Sequence, residues 1–355
     1  REVTTMERGS FSREAVFMGV AFTCGLEKVI LPFIDRGIPV EYEMSRSIAT
    51  VTQQKRKKVG VLNTDAQLYG QFNMQTMSSS PNWPIIDELE KQYEVEQVDA
   101  SSPIGDDYDV LLAVQPSSLG PEQMDNFIDA IRNGVPTAIF EDPMPAFAGN
   151  VPATRDPRRP PGGMNPMMGR QPPPEKGNRA ALWDLLQIDF AETQVIWQDY
   201  NPERRYSDWP MEFIFIGTGS GQEEPFSNDV VAVSDLQHML LPFPGSVRNL
   251  NVSKFKFTPL VRTGEQTGTV DLDDLFSMGM FGMGREINPN RRMTPTNTPY
   301  VVAAHIRGNP DAGAPEDDGG NGNGDGEDDD AHDGHDHADD ESEDSTTGSR
   351  DSGIN

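Results

Sequence analysis

The sequence predicts an α/β protein built on a mainly parallel, doubly wound (Rossmann-like) sheet with helices on both faces. Strand-like and helix-like segments alternate between residues 58 and 140, which is the pattern of consecutive right-handed crossovers. The run at residues 109–114 is continuously apolar, as expected of a strand buried on both faces. Together these observations predict a sheet covered by helices on both sides.

The predicted elements follow from local patterns. Residues 14–34 indicate two strands joined by a turn, and residues 41–51 indicate a helix with Met44, Ile48 and Val51 on one face. Helices are predicted at residues 84–93, 121–132 and 178–186, and a helical turn at residues 235–240. Strands are predicted at residues 59–62, 94–98, 109–114, 135–140, 194–198, 212–216, 230–233, 246–250, 254–261 and 300–306.

Composition divides the chain into four parts. Residues 1–142 form an N-terminal α/β part, and residues 143–176 a flexible insert rich in Pro, Gly and Met. Residues 177–308 form a second α/β part, which either continues the same domain or forms another. Residues 309–355 read as a disordered acidic tail rich in His and Asp.

The charge is concentrated in that tail. The formal net charge is −28, and residues 309–355 hold 17 Asp and Glu against one basic residue, Arg350. A chain this acidic lacks the basic face that phosphate contacts require, so nucleic-acid binding is excluded.

Motifs for catalysis and nucleotide binding are weak. Cys24, the single cysteine, lacks the flanking glycines of a nucleophile elbow, and it is better explained as a small buried apolar residue. The glycine-rich run at residues 217–221 is followed by two glutamates and a proline, so no helix N-terminus is available to a phosphate. No Gly-x-x-x-x-Gly-Lys-Ser/Thr loop occurs, so an ATPase would be another chain.

The order of several motifs resembles the soluble domain of the gliding-motility-type (GldG-like) ABC-transporter auxiliary family. The similar segments are residues 39–43, 58–62, 83–95, 109–119, 123–143, 257–264 and 299–304. The resemblance implies a periplasmic or extracytoplasmic domain that is tethered by membrane segments outside this chain. It also implies that the domain works beside an ABC-type permease and ATPase. The apolar stretches here are too short to span a bilayer, so we expect a soluble piece of a longer protein.

Candidate ligand-binding residues follow three predicted parallel strands. They are Asp65, Gln115, Glu141 and Asp142. The carboxyl ends of such strands share one edge, where ligands bind in open sheets, and a carboxylate pair could act there as general acid and base. Acidic residues at this position also cap loops and helices, so we predict no catalytic residue.

Two metal sites can be considered. His332, His335 and His337 alternate with aspartates and could hold Zn, Cu or Ni weakly, although a solvated charge run explains them better. The methionines at 164, 167, 168, 278, 280 and 283 could offer thioethers to Cu(I), or apolar contacts to a partner. We therefore expect no metal site and no cofactor.

The sequence as a whole favours a non-catalytic auxiliary domain of an ABC-type transport system that acts in protein or substrate interaction. The alternative is a carbohydrate- or peptide-directed hydrolase or binding protein with a degenerate site.

Overall fold

Among the strands that the structure describes, parallel pairing is confined to one sheet of four. The computed structural model describes residues 2–7, 10–15, 18–32, 34, 39–52, 55–70, 72–73, 77–148, 151–158, 172–250, 255–278 and 285–308. These residues belong to one compact unit.

The helices are α1 (Val40–Thr52), α2 (Pro84–Glu90), α3 (Pro121–Arg132), α4 (Arg179–Leu186), α5 (Val231–Ser234) and α6 (Leu272–Leu275). The first strands are β1 (Glu2–Glu7), β2 (Ser10–Ala15), β3 (Val20–Cys24), β4 (Glu27–Leu31), β5 (Lys58–Leu62), β6 (Phe72–Asn73), β7 (Ser78–Ser79), β8 (Glu94–Val98), β9 (Val110–Val114) and β10 (Thr137–Phe140). The remaining strands are β11 (Ile188–Phe190), β12 (Gln194–Gln198), β13 (Phe213–Gly217), β14 (His238–Pro242), β15 (Val247–Asn249), β16 (Phe255–Arg262), β17 (Thr267–Asp271), β18 (Phe276–Met278), β19 (Arg285–Ile287), β20 (Thr294–Pro295) and β21 (Val301–Gly308).

The parallel sheet has the strand order β10-β9-β5-β8. Its strands alternate their side chains between two apolar layers. Leu111 and Ala113 of β9 pack with α3 and α4 on one face, whereas Leu112 packs with Val59 and with Ile86 of α2 on the other. Helices therefore cover both faces of this sheet, as predicted for this part of the chain.

The prediction of a mainly parallel, doubly wound fold is nevertheless wrong for the chain as a whole. Every other described strand pairing is antiparallel, in two-stranded sheets and one three-stranded sheet (β12-β17-β20). Parallel neighbours need a crossover of a dozen or more residues, usually a helix. After β11 the described helices α5 and α6 have only four residues each, so the strands there pair with antiparallel partners.

Local sequence signals explain where helices α3 and α4 begin and end. Pro121 occupies the first turn of α3, and the side chain of Gln123 accepts the Gly120 N–H at 2.9 Å. The helix stops before Gly134, which has a φ of 87°. Helix α4 begins after Asn178 and ends at Gln187, which adopts the left-handed conformation.

Other predictions fared unevenly. The predicted hairpin is present as β3 and β4, but residues 230–233 fall largely in α5 and residues 235–240 lead into β14. In α1 only Val51 of the predicted apolar face is buried, since Met44 and Ile48 are exposed. Among the described residues, no helix combines the length and apolar character needed to cross a bilayer.

Candidate functional site

The predicted ligand-edge residues meet at the turn that follows β9. Residues 116–118 form a single 3-10 turn directly after Gln115. The Asp65 N–H, which follows β5, donates to Ser118 Oγ at 2.9 Å, and that hydroxyl donates to the Gln115 carbonyl at 2.8 Å. Glu141, after β10, accepts from Ser117 in the same turn. The structure thus brings the ends of three parallel strands together, as the strand order requires.

The Gln115 side chain binds the segment that follows β10 and holds it against this edge of the sheet. Its side chain is only 1% exposed, and its backbone is left-handed with a φ of 53°. The amide Nε2 donates to the carbonyls of Asp142 (3.0 Å) and Pro152 (2.7 Å), and Oε1 accepts the Asp142 N–H at 2.6 Å. The amide is therefore committed to the backbone of the covering segment, which is described at residues 142–148 and 151–158.

Glu141 is held in the same way. Its carboxylate accepts from the Ser117 hydroxyl (2.6 Å) and N–H (3.2 Å) and from the Thr154 hydroxyl (2.6 Å). Burial raises the pKa of Glu141, and these donors offset only part of the effect. Ser117 and Thr154 are themselves buried. The carboxyl group thus links the turn after β9 to the covering segment.

Asp142 is the second carboxyl of the predicted pair, but it points to another partner. Its Oδ1 accepts the Met144 N–H at 2.8 Å. Burial raises the pKa of Asp142 to about 6, against which this single donor has a smaller effect. Glu141 and Asp142 therefore contact different groups, and neither contact joins the two carboxyls.

Lys176 completes the cluster and was missed by the sequence reasoning. Its ammonium donates to the carbonyls of Thr154 (2.8 Å) and Asp156 (2.7 Å), so it binds the backbone of the covering segment at two positions. Burial lowers the pKa of Lys176, while the negative charges of Glu141, Asp156 and Asp65 oppose the shift. One signal was available: Lys176 is the single lysine between Lys91 and Lys254.

An ion pair flanks the cluster. Arg179 Nε lies 2.8 Å from both carboxylate oxygens of Glu192, and the Trp183 indole N–H donates to the same carboxylate at 3.0 Å. Burial acts to raise the pKa of Glu192, but these hydrogen bonds outweigh it and lower the pKa. The pair fixes the first turn of α4, directly after Lys176.

Two clefts lie away from these side chains. One, of about 570 Å³, is lined by residues 143–146, 151, 153, 155, 156, 272, 273 and 276. The other, of about 340 Å³, lies on the face of the parallel sheet between β9 and α2. Neither cleft is lined by Asp65, Gln115 or Glu141. The covering segment occupies the place beside the strand ends where a ligand would bind.

The other sequence candidates do not join this cluster. Cys24 is an exposed free thiol at the end of β3, not a buried residue. The glycine-rich run forms a short turn after β13, where a Cβ on Gly219 would lie 2.4 Å from the Tyr200 hydroxyl. Close packing thus explains that glycine.

Most of the candidate metal ligands lie in parts of the chain that the structure does not describe. His332, His335, His337 and all the methionines singled out except Met278 lie outside the described residues. Within the described part of the chain, no group of three or more His, Cys, Asp and Glu side chains is arranged to hold a metal ion.

Comparison with known proteins gives one match. Residues 56–330 match a family described as "ABC-type uncharacterized transport system". No curated protein and no solved structure matches the chain. The matched range includes Asp65, Gln115, Glu141 and Lys176 as well as the flanking Arg179–Glu192 ion pair.

Proposed function

Because this chain belongs to the family of auxiliary components of ABC-type transport systems, we propose that it is a non-catalytic, extracytoplasmic interaction domain of such a system. In this proposal it is of the gliding-motility (GldG-like) type. Membrane segments outside the present chain tether it beside an ABC-type permease and ATPase, and it acts in protein or substrate interaction.

The observation that supports the non-catalytic role is that polar side chains at the carboxyl ends of the parallel strands are already hydrogen-bonded within the chain. Among the groups that could serve as acid, base or nucleophile, Ser117, Glu141 and Lys176 are each hydrogen-bonded to the turn or to the covering segment. A catalytic group must reach a reacting atom at hydrogen-bond distance. Here that space is filled by the protein's own backbone.

The need for partners follows from the sequence. These 355 residues contain no phosphate-binding loop of the Gly-x-x-x-x-Gly-Lys-Ser/Thr type. Since ABC-type transport is driven by ATP hydrolysis, this proposal places the ATPase outside these 355 residues, and the domain works through contacts with the assembly.

The convergence of Ser117, Glu141 and Lys176 favours the second candidate, a carbohydrate- or peptide-directed hydrolase or binding protein. Glu141 and Lys176 both bind Thr154, the first through its hydroxyl and the second through its carbonyl, and a carboxyl with a raised pKa near an amine with a lowered pKa is found in acid-base catalysis. In that case the covering segment would have to move away from the strand ends.

One experiment separates the two functions. The full-length gene product is tagged in its own host, and Glu141→Gln and Lys176→Met are compared with the exposed-site control Arg132→Ala. An auxiliary module predicts that variants which remain folded still co-purify with a permease and an ATPase and retain transport. A Glu141→Gln protein that assembles normally yet loses transport tenfold or more would support the hydrolase.

The location can be tested through Cys24, which is exposed. A membrane-impermeant maleimide should label this thiol in cells whose outer layers are permeabilised but whose cytoplasmic membrane is intact. Cys24→Ser is the matched control for labelling elsewhere in the full-length protein. Labelling that appears only after the cytoplasmic membrane is broken would refute an extracytoplasmic location.

A further inference from the structure

Helix α1 presents an apolar stripe to solvent. Val40, Met44 and Ile48 recur at four-residue spacing, and they are 37%, 39% and 48% exposed. Residues at this spacing lie above one another on one side of a helix. A surface helix of a single globular chain normally turns such a stripe inward. The stripe therefore marks a surface suited to association.

The rest of the chain uses a different, more polar side of α1. The residues that α1 buries are Arg46, Ser47, Thr50 and Val51, and the helix contacts the β3-β4 hairpin. Tyr42 accepts a hydrogen bond from Gln92 at 3.2 Å near the end of α2. These contacts hold α1 in place and leave the stripe uncovered.

This surface precedes the matched part of the chain. The family match begins at residue 56, four residues after α1 ends. In the described part of the chain 17 large apolar side chains are exposed, and seven of them lie between Met18 and Ile48. The apolar exposure is thus concentrated ahead of the transport-family domain.

The charges at the two ends of α1 indicate what covers the stripe. Glu41 is exposed in the first turn, whereas Glu43 pairs with the buried Arg46 of the same helix. The last turn has no basic residue, and the exposed Lys55 and Arg56 follow the helix. In an antiparallel pair of such helices, the acidic start of each lies beside the basic end of the other. The charges therefore match a second copy of the same helix in reverse orientation.

We propose that this chain self-associates through an antiparallel, two-fold symmetric pairing of α1 stripes. In this pairing Ile48 lies near the two-fold axis, so that each Ile48 contacts its counterpart and the acidic start of each helix lies near the end of the other. Met44 then packs toward Thr52 of the other copy. The proposal goes beyond the auxiliary role, which does not require self-association.

The first test is the mass in solution. Analytical ultracentrifugation of the whole chain should show a concentration-dependent species of twice 39.2 kDa. Ile48→Glu should raise the dissociation constant at least tenfold, whereas Leu26→Glu, at the fully exposed hairpin tip, should leave it unchanged. Circular dichroism checks that both variants are folded. A wild-type chain that stays monomeric at every concentration overturns the proposal.

The second test uses charge reversal, which separates antiparallel pairing from other contacts. Glu41→Lys makes the helix start basic like the residues after its end, and Lys55→Glu/Arg56→Glu makes both ends acidic. Each variant alone should dissociate more readily than the wild type, and more so at low salt. A mixture of the two should associate again, since every acidic end then meets a basic one. Failure of the mixture to associate contradicts the antiparallel register.

A third test fixes the position of the axis. In a Cys24→Ser background, Ile48→Cys should form an intermolecular disulfide under mild oxidation, whereas Leu26→Cys should not. Preferential cross-linking through the hairpin tip would overturn the proposal. So would a Met44→Glu protein that keeps its wild-type mass but no longer co-purifies with membrane partners, because the stripe would then be covered by another protein.

Discussion

Replacement of Asp142 by Asn should stabilise the protein at neutral pH. The Asp142 carboxylate is partly buried, and within the described part of the chain its hydrogen-bond donor is the Met144 N–H. Burial raises the pKa of this carboxyl from the ordinary 3.8 to about 6. Asn keeps an oxygen acceptor for this N–H but cannot ionise. The substitution therefore removes the cost of placing a negative charge in this position.

The size and pH dependence follow from linkage. Below pH 3.8 the Asp142 carboxyl is neutral in the folded and the unfolded protein, so folding carries no cost of burying its charge. As the pH rises from 3.8 to about 6, the unfolded state ionises first, and the free energy of unfolding falls. A shift of about two units corresponds to about 3 kcal/mol at pH 7 and above. The new amide N–H groups need partners, so we expect a net gain of about 1 to 3 kcal/mol.

Urea unfolding of the wild type and of Asp142→Asn at pH 4, 6 and 8 measures the difference in the free energy of unfolding. Comparison at each pH cancels the strong general pH dependence of a chain with 57 acidic residues. Asp125→Asn, on the exposed side of α3, is the control and should change the free energy by less than about 0.5 kcal/mol. An Asp142→Asn protein that is no more stable at pH 8, or whose gain does not shrink toward pH 4, refutes the reasoning.

Three further changes test the packing of the fold. Gln115→Ala removes a buried amide with three hydrogen bonds, so the free energy of unfolding should fall by about 2 to 4 kcal/mol; a loss below about 0.5 kcal/mol would contradict its holding role. Arg291→Met leaves the fully buried Glu212 without its bidentate partner and should cost about 3 to 5 kcal/mol in urea unfolding. Adding Glu212→Gln should recover most of that loss, and no recovery would count against an uncompensated charge as the cause. Gly264→Ala would place a Cβ 2.2 Å from the Ser220 carbonyl oxygen and should cost about 1 to 3 kcal/mol, which an unchanged melting temperature would disprove.

The parallel sheet could be predicted because its sequence signals are local. Residues 58–62 and 109–114 are strongly apolar, and α3 carries both a proline at its start and a glycine after its end. The antiparallel remainder could not be predicted by the same route. Strand β17, of sequence Thr-Gly-Thr-Val-Asp, has little strand signal of its own and is formed by pairing with β12, 69 to 77 residues earlier.

The candidate site was predictable to the same extent as the sheet. Asp65, Gln115 and Glu141 could be placed at one edge because they follow parallel strands. Lys176 could not, because its position depends on the path of a segment without periodicity. The outward turn of Met44 and Ile48 was also missed, since periodicity locates an apolar stripe but does not say whether it packs inside the chain or on a second molecule.

The carboxyl edge of the sheet is closed by polar contacts in place of a helix. Residues 142–158 form no helix or strand where they are described, and their place against the sheet depends on hydrogen bonds from Gln115, Glu141 and Lys176. Such contacts are directional, and each buried group left without a partner costs more than an apolar contact of the same size. Because Ala153 and Asp156 also line the 570 Å³ cleft beside α6, any change that loosens this segment must alter both the strand ends and that cleft. The strand ends and the cleft therefore share one wall, which this segment forms.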